Sequence, residues 1–360
     1  MSHAICAQDF DEATLEHGLQ LLARAMEQAN LRRHSDYVSR VFLLCTPHFA
    51  DQLEELAHAC VAKTNCLNVW GGCASGLLGE GQVYFDKPAL VIAIFGEIFE
   101  STSHEAEALH LCLIEHEQAL LATSTLNTIE PDSPCLSANT LGLLSYGANY
   151  AKIPRIEHGR ACHEDLCQTT LRVQSPRVFN SEGLTFFTDV QTVTESNGLF
   201  LIGVGGEKAA LALNCPEHQT RPVGLRLQVI HEHGESWVPV MEIHADGTLG
   251  LAAPVMKGQR IRLARRTQQA IAHELPHWQS EITSTFGGNA PSIGIMFSGF
   301  ERSHLCHANE NDIASVLKAF PSTEWLGVFG QAAWLSQDLQ VITPPRNNRL
   351  SVCFFHPPKA

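Results

Sequence analysis

Apolar residues in this chain recur with two periods, and the two periods divide it into helices and strands. Leu15, Leu19, Leu22 and Met26 are spaced for one helical face and predict an amphipathic helix over 11–30, with Asp9 or Asp11 placed to cap it. An apolar run at 40–46 has the length of a buried strand, and 49–62 carries Leu53, Leu56 and Val61 on one helical face. A strand at 67–76 runs into a glycine-rich turn, and 82–85 with 89–95 read as a strand hairpin with Pro88 on its turn side. The stripe Ala108, Leu111, Leu113 and Leu120 predicts a long helix over 104–123. Strands are expected at 141–145, 166–173 and 186–194, and Asn197-Gly198 signals a hairpin turn before 199–204.

From about Pro222 the pattern becomes mostly strand-like, over 224–230, 238–244, 249–252 and 261–264, with a turn at Asp246-Gly247. A helix over 267–285 is expected to be interrupted at Pro276. A strand at 292–298, a helix at 311–319, a strand at 325–330 and a closing strand pair at 339–342 and 350–355 complete the chain.

The order strand, helix, strand ending in small residues, further strands occurs twice, over 40–96 and 292–355. Both middle strands stop at a small-residue turn, Gly72 to Gly76 in the first and Gly330 to Ala333 in the second. A duplicated unit accounts for this echo. It predicts an α/β fold of two pseudo-repeated mixed-sheet sandwich halves, with helices covering the sheets and a pocket between the halves lined by the two turns. The expected division is a lead-in helix over 1–37 and two domains over 38–221 and 222–360. Two domains also suit a length of 360 residues.

Charge narrows the partners. A formal net charge of -14 leaves no surplus of Lys and Arg for phosphates, and the densest basic stretch, Arg260, Arg262, Arg265 and Arg266, reads as a solvated junction. Nucleic acid and membrane are therefore not expected partners. The first residues have no basic-then-apolar pattern, and the longest apolar run, 89–95, is far short of a span, so a soluble, cytoplasmic protein is expected. The 12 cysteines are scattered through a long chain and read as reduced, mostly buried thiols, whereas the 19 histidines keep a metal or haem ligand in play.

The chain resembles the FIST family, in which an N-terminal FIST domain precedes a FIST C domain. The resemblance rests on Arg40-Val-Phe-Leu-Leu, on Gly71-Gly-Cys-Ala-Ser-Gly76 and on Thr192-Val-Thr-Glu-Ser-Asn-Gly198 in the first half. In the second half it rests on Gly224-Leu-Arg-Leu, Asp246-Gly-Thr-Leu, Pro254-Val-Met-Lys-Gly-Gln-Arg-Ile-Arg262, Gly294-Ile-Met-Phe-Ser298, Arg302 and Leu326-Gly-Val-Phe-Gly330. It implies a sensory, signal-transducing module rather than an enzyme. Such a module binds a small ligand, an amino acid or another small carboxylate, and acts through a partner protein. One branch is described as haem-binding nitric-oxide sensors. The ligand-binding residues implied are Gly71, Gly72, Cys73, Ser75, Gly76, Ser298, Arg302, Phe329 and Gly330, with Arg302 suited to hold a carboxylate by two parallel hydrogen bonds.

The motifs depart from the family pattern. Gly72, Cys73 and Leu77 stand where it has Cys, Ser and Glu; Gly299 and Ser303 replace a Cys and a Gly; Ala332-Ala-Trp-Leu-Ser336 replaces Gly-Glu-Ile-Gly-Pro. Two carboxylates and a thiol are thus gone from the expected pocket. Haem-ligand candidates are His48, His110, His116 and His304. His273-Glu-Leu-Pro-His277 spells a zinc-hydrolase pattern, but Pro276 falls between the two histidines and no third ligand is evident. Cys162-His163 with Cys167, and His304 with Cys306 and His307, are further metal clusters without paired Cys-x-x-Cys knuckles. Cys73, at a tight turn after a strand, has a nucleophile's position but reads as a buried thiol, and Gly203-Val-Gly-Gly206 reads as a turn rather than a phosphate loop.

Overall fold

The computed structural model describes residues 3–29, 38–96, 106–115, 140–145, 155–162, 166–181, 183–215, 225–231, 234–287, 290–299, 312–330, 332–338, 341–342 and 350–356. Chain contacts divide it into two compact units. The smaller spans Glu182–Pro276, and the larger combines Met1–Ser181 with most of the chain from His277 to Ala360. The division thus falls near 181 and 276 rather than at 221, because the late strands complete a sheet begun by the early ones.

The larger unit carries β1 (His3–Asp9), β2 (Val38–Cys45), β3 (Val69–Cys73), β4 (Gly76–Gly79), β5 (Gln82–Phe85), β6 (Ala89–Gly96), β7 (Ala106–Glu115), β8 (Thr140–Ser145), β9 (Arg155–Glu157), β10 (Arg160–Cys162) and β11 (Leu166–Ser181). The smaller unit carries β12 (Leu184–Phe186), β13 (Gln191–Asn197), β14 (Phe200–Val204), β15 (Glu207–Lys208), β16 (Leu225–His231), β17 (Gly234–Ile243), β18 (Leu249–Leu251) and β19 (Arg260–Arg266). β20 (Ile293–Gly299), β21 (Glu324–Gly330), β22 (Ala332–Asp338), β23 (Val341–Ile342) and β24 (Leu350–His356) return to the larger unit. The helices are α1 (Leu15–Gln28), α2 (Leu53–Thr64), α3 (Ala209–Ala212), α4 (Gln268–Thr285) and α5 (Asp312–Ala319).

Two mixed sheets stack in the larger unit, in the orders β1-β6-β2-β3-β9-β10 and β23-β22-β8-β7-β11-β24-β20-β21-β4-β5. Their apolar runs are buried on both faces. In β6, Ala89, Val91, Ala93 and Phe95 enter the core between the sheets, while Leu90, Ile92 and Ile94 enter a second core beneath α1 and α2. β7, β11, β20 and β24 supply the opposing wall with Leu109, Leu111, Leu171, Ile293, Ile295 and Phe355. On the far side of that wall Phe354 meets Trp325, Phe320 and Phe179, and Trp278 of α4 packs on Phe179. The result is an α/β fold with helices outside two packed sheets. α1 is capped by Thr14, whose hydroxyl accepts from His17 N at 3.3 Å, and not by Asp9 or Asp11. α1 lies so close to α2 that a Cβ on Gly18 would meet Leu56 at 2.3 Å.

One pairing pattern runs through both sheets. β2 and β3 are parallel and β6 is antiparallel to β2; β20 and β21 are parallel and β24 is antiparallel to β20. β1 and β11 lie antiparallel outside β6 and β24, and an antiparallel hairpin, β9–β10 or β4–β5, continues from β3 and β21.

Several expectations are corrected here. Residues 106–115 form a strand rather than a helix, because Leu109, Leu111 and Leu113 alternate at period two and face the core. β5 and β6 do not make a hairpin; β5 pairs with β4 at the edge of the second sheet, and β6 is held between β1 and β2 in the first. β23 and β24 are not partners either, since β23 pairs with β22 and β24 with β11 and β20. α4 runs through Pro276 without a break.

In the smaller unit an 8-stranded antiparallel sheet closes on itself, because β16 pairs with both β17 and β19. Closure removes two strand edges. Val193, Leu201, Leu227, Leu249 and Ile261 fill its interior. Its hairpins follow the expected turns, with Gly198 at φ 57°, Gly205 at φ 61°, Gly206 at φ 93° and Gly247 at φ 83°. Among the described residues, no helix is long and apolar enough to cross a membrane.

Candidate functional site

The two small-residue strand ends meet in the larger unit. Gly71, Gly72 and Cys73 are buried in β3, Ser75 is half-buried, and Gly76 opens β4 directly opposite Phe329 of β21. Gly71 has to be glycine, since a Cβ there would lie 1.8 Å from the Leu43 carbonyl oxygen of β2. Phe85 lies over Gly76, its ring 4.9 Å from that of Phe329, and fills the space a side chain at Gly76 would take. Ser298 is fully buried next to the Gly299–Gly330 pair, its hydroxyl donating to the Gly299 carbonyl at 3.3 Å. Cys73 and Cys45 face each other at the ends of parallel strands with sulfurs 3.1 Å apart. Burial first, and then the neighbouring Cys73, hold the Cys45 thiol well above its ordinary range. Among the described residues this corner is packed and thiol-rich. Arg302 lies outside the described residues, as do His116, His163, His304, Cys306 and His307.

An open cleft of about 540 Å³ lies at the other end of β21. Its walls come from the start of β1, the end of α1, the β4–β5 turn, the end of α5 and the start of β21. His3 Nε2 stands 3.3 Å from Glu324 Oε1, and the His3 ring stacks on Phe95. Glu80 is fixed by an ion pair to Arg24 and by the Ala7 N–H, which donates to it at 2.9 Å. Trp325 also lines the cleft. Its indole N–H is buried and has no hydrogen-bond partner among the described residues, which leaves a desolvated donor uncompensated. Two carboxylates and an imidazole suit a small polar ligand with a cationic group.

A second cavity, about 420 Å³, belongs to the smaller unit and is lined by Phe200, His244 and Asp246 among others. Asp246 is already committed, accepting from the Thr248 N–H at 2.9 Å and the Thr248 hydroxyl at 3.0 Å, and these bonds lower its pKa. No family model matches the sequence, and no curated protein matches it.

The histidine candidates sit apart from one another. His48 is exposed on the 3-10 turn at Pro47–Gln52. His110 is half-buried on β7, where burial lowers its pKa and its Nδ1 lies 2.9 Å from the Thr170 hydroxyl. His273 and His277 are exposed on α4; His277 approaches Glu281 at 3.8 Å, and Glu274 accepts from the Gly183 N–H at 3.1 Å. Among the described residues they do not converge with a third metal-ligating side chain. Sequence reasoning missed His3, Gln28, Glu80, Glu324 and Trp325 entirely. They come from separate elements, and no local motif marks them.

Proposed function

We propose that this chain is an intracellular sensory module of the FIST type. It binds a small ligand, an amino acid or a related small carboxylate, in the cleft at the start of β21 and passes the signal to a partner protein. The observation that carries the reading is the His3–Glu324 pair in the wall of that open cleft. A ligand ammonium group meets Glu324. The shared strand pattern of the two sheets supports a duplicated origin, with the cleft between the N-terminal segment and 317–325.

The test is a thermal-shift screen of amino acids and small carboxylates, followed by titration calorimetry. A ligand that binds only the folded state raises Tm, by about 2.7 kcal/mol of stability at 100 times its Kd. Glu324→Gln and His3→Gln should abolish that shift while leaving the ligand-free Tm near wild type. A screen with no positive compound, or a shift that survives both variants, refutes the assignment. Haem is the second ligand to include. His110 supports it, because burial lowers its pKa and its Nδ1 contact with the Thr170 hydroxyl orients the ring; a Soret band lost in His110→Ala favours that reading.

A further inference from the structure

A separate cluster in the larger unit brings together Glu157, Cys162 and Cys167, whose ligand atoms all lie within 4.8 Å of one another. The β9–β10 hairpin builds half of it. His158 and Gly159, at φ 50° and 73°, make a two-residue turn of the kind that matches strand twist. Arg160 then pairs with Glu157 and Cys162 with Arg155, so Glu157 and Cys162 share one face of the hairpin. Cys167 comes from β11, buried at the rim of the core between the sheets, and its thiol donates to the Ile156 carbonyl at 3.3 Å.

We propose that Glu157, Cys162 and Cys167 bind one zinc ion, with a fourth position left for water or a ligand atom. The spacing fits: Zn–S of ~2.3 Å and Zn–O of ~2.1 Å at a tetrahedral angle place sulfur and oxygen about 3.6 Å apart, and Cys162 Sγ lies 3.7 Å from Glu157 Oε2. Mixed thiolate and carboxylate donors suit a borderline-soft dication better than copper(I) or calcium. Charge fits as well. Two thiolates and a carboxylate carry three negative charges, which zinc and the buried Arg155 guanidinium cancel. Without metal the same crowding acts against ionisation. The Cys162 thiol first, then burial and the Glu157 charge, hold the Cys167 thiol far above its ordinary range, while Arg155 acts in the opposite sense. Metal binding reverses that preference, each thiol releasing its proton to solvent.

The experiment uses the full chain, reduced, stripped with a chelator and titrated with cobalt(II) and then zinc. One equivalent of cobalt should bind, with thiolate-to-cobalt charge-transfer absorption that zinc displaces. Cys162→Ala and Cys167→Ala should lose that absorption, Glu157→Gln should weaken zinc at least about tenfold, and Cys215→Ala should behave as wild type. Circular dichroism of the metal-free variants controls for folding, and the half-exposed Cys162 and Glu157 positions keep the test valid if Cys167→Ala fails to fold. Absent cobalt absorption in the reduced protein, or absorption that survives Cys162→Ala, overturns the proposal. So does a Cys162–Cys167 disulfide that forms in its place and survives chelation and reductant.

Discussion

Replacing Gly71 by alanine tests the packing of the first sheet at its tightest point. The new Cβ would stand 1.8 Å from the Leu43 carbonyl oxygen, roughly 1.6 Å inside ordinary van der Waals contact. The obstacle is backbone, so no rotamer change relieves it; β3 has to move away from β2. A shift of that size stretches ladder bonds of ~2.9 Å well beyond hydrogen-bonding range. Two lost bonds at about 1 kcal/mol each and an overpacking cost of about 1–3 kcal/mol predict a loss of roughly 3–5 kcal/mol. β21 offers the internal comparison. A Cβ on Gly327 would lie 2.9 Å from the Met296 carbonyl oxygen of its parallel neighbour, a milder conflict at the equivalent place in the second sheet. Gly327→Ala should therefore cost about 1–2 kcal/mol. Urea denaturation gives both values from the shift in midpoint at constant slope. If Gly71→Ala costs less than Gly327→Ala, or less than about 1 kcal/mol, the reasoning from backbone approach is wrong.

Two further outcomes are expected. Burial pushes the Cys60 thiol up to about 12 from an ordinary 9.0. Its stabilising contribution is therefore complete below pH 9 and lost between pH 9 and 12, and urea midpoints should fall through that window less steeply in Cys60→Ala. Thr14→Ala removes the α1 cap and should cost about 1 kcal/mol, measured by the same denaturation.

The buried strands were legible because apolar runs of five to eight residues at 40–46, 89–95, 292–298 and 350–355 have few alternatives. The turns at Gly198, Gly205 and Gly247 were legible because each needs positive φ. Residues 106–115 were misread because Ala108 and Leu111 satisfy a helical period as well as Leu109, Leu111 and Leu113 satisfy the period of a strand. Partner choice between β11 and β8 decides that conflict, and partners are not written locally. The same holds for β5 and β6, whose short connection suggests a hairpin that the sheets do not form. Pro276 was read as an interruption from its propensity alone, while Trp278 and Ile282, anchored in the core, hold α4 on course. The echo of two strand ends suggested a pocket where Gly76 and Phe329 instead pack under Phe85. The cleft did not follow from that echo, because His3, Glu80 and Glu324 are gathered by folding from distant stretches.

The β4–β5 hairpin leaves the strand that precedes it and completes the edge of the other sheet. That exchange ties the early and late stretches of the polypeptide into one knot of mutual dependence. A fragment ending before β20 would present β4 and β5 with no template, and a fragment beginning at β20 would expose the raw flank of β21. Neither piece should be obtainable alone as a well-behaved protein, and a ribosome must release the chain through β24 before the larger unit can close.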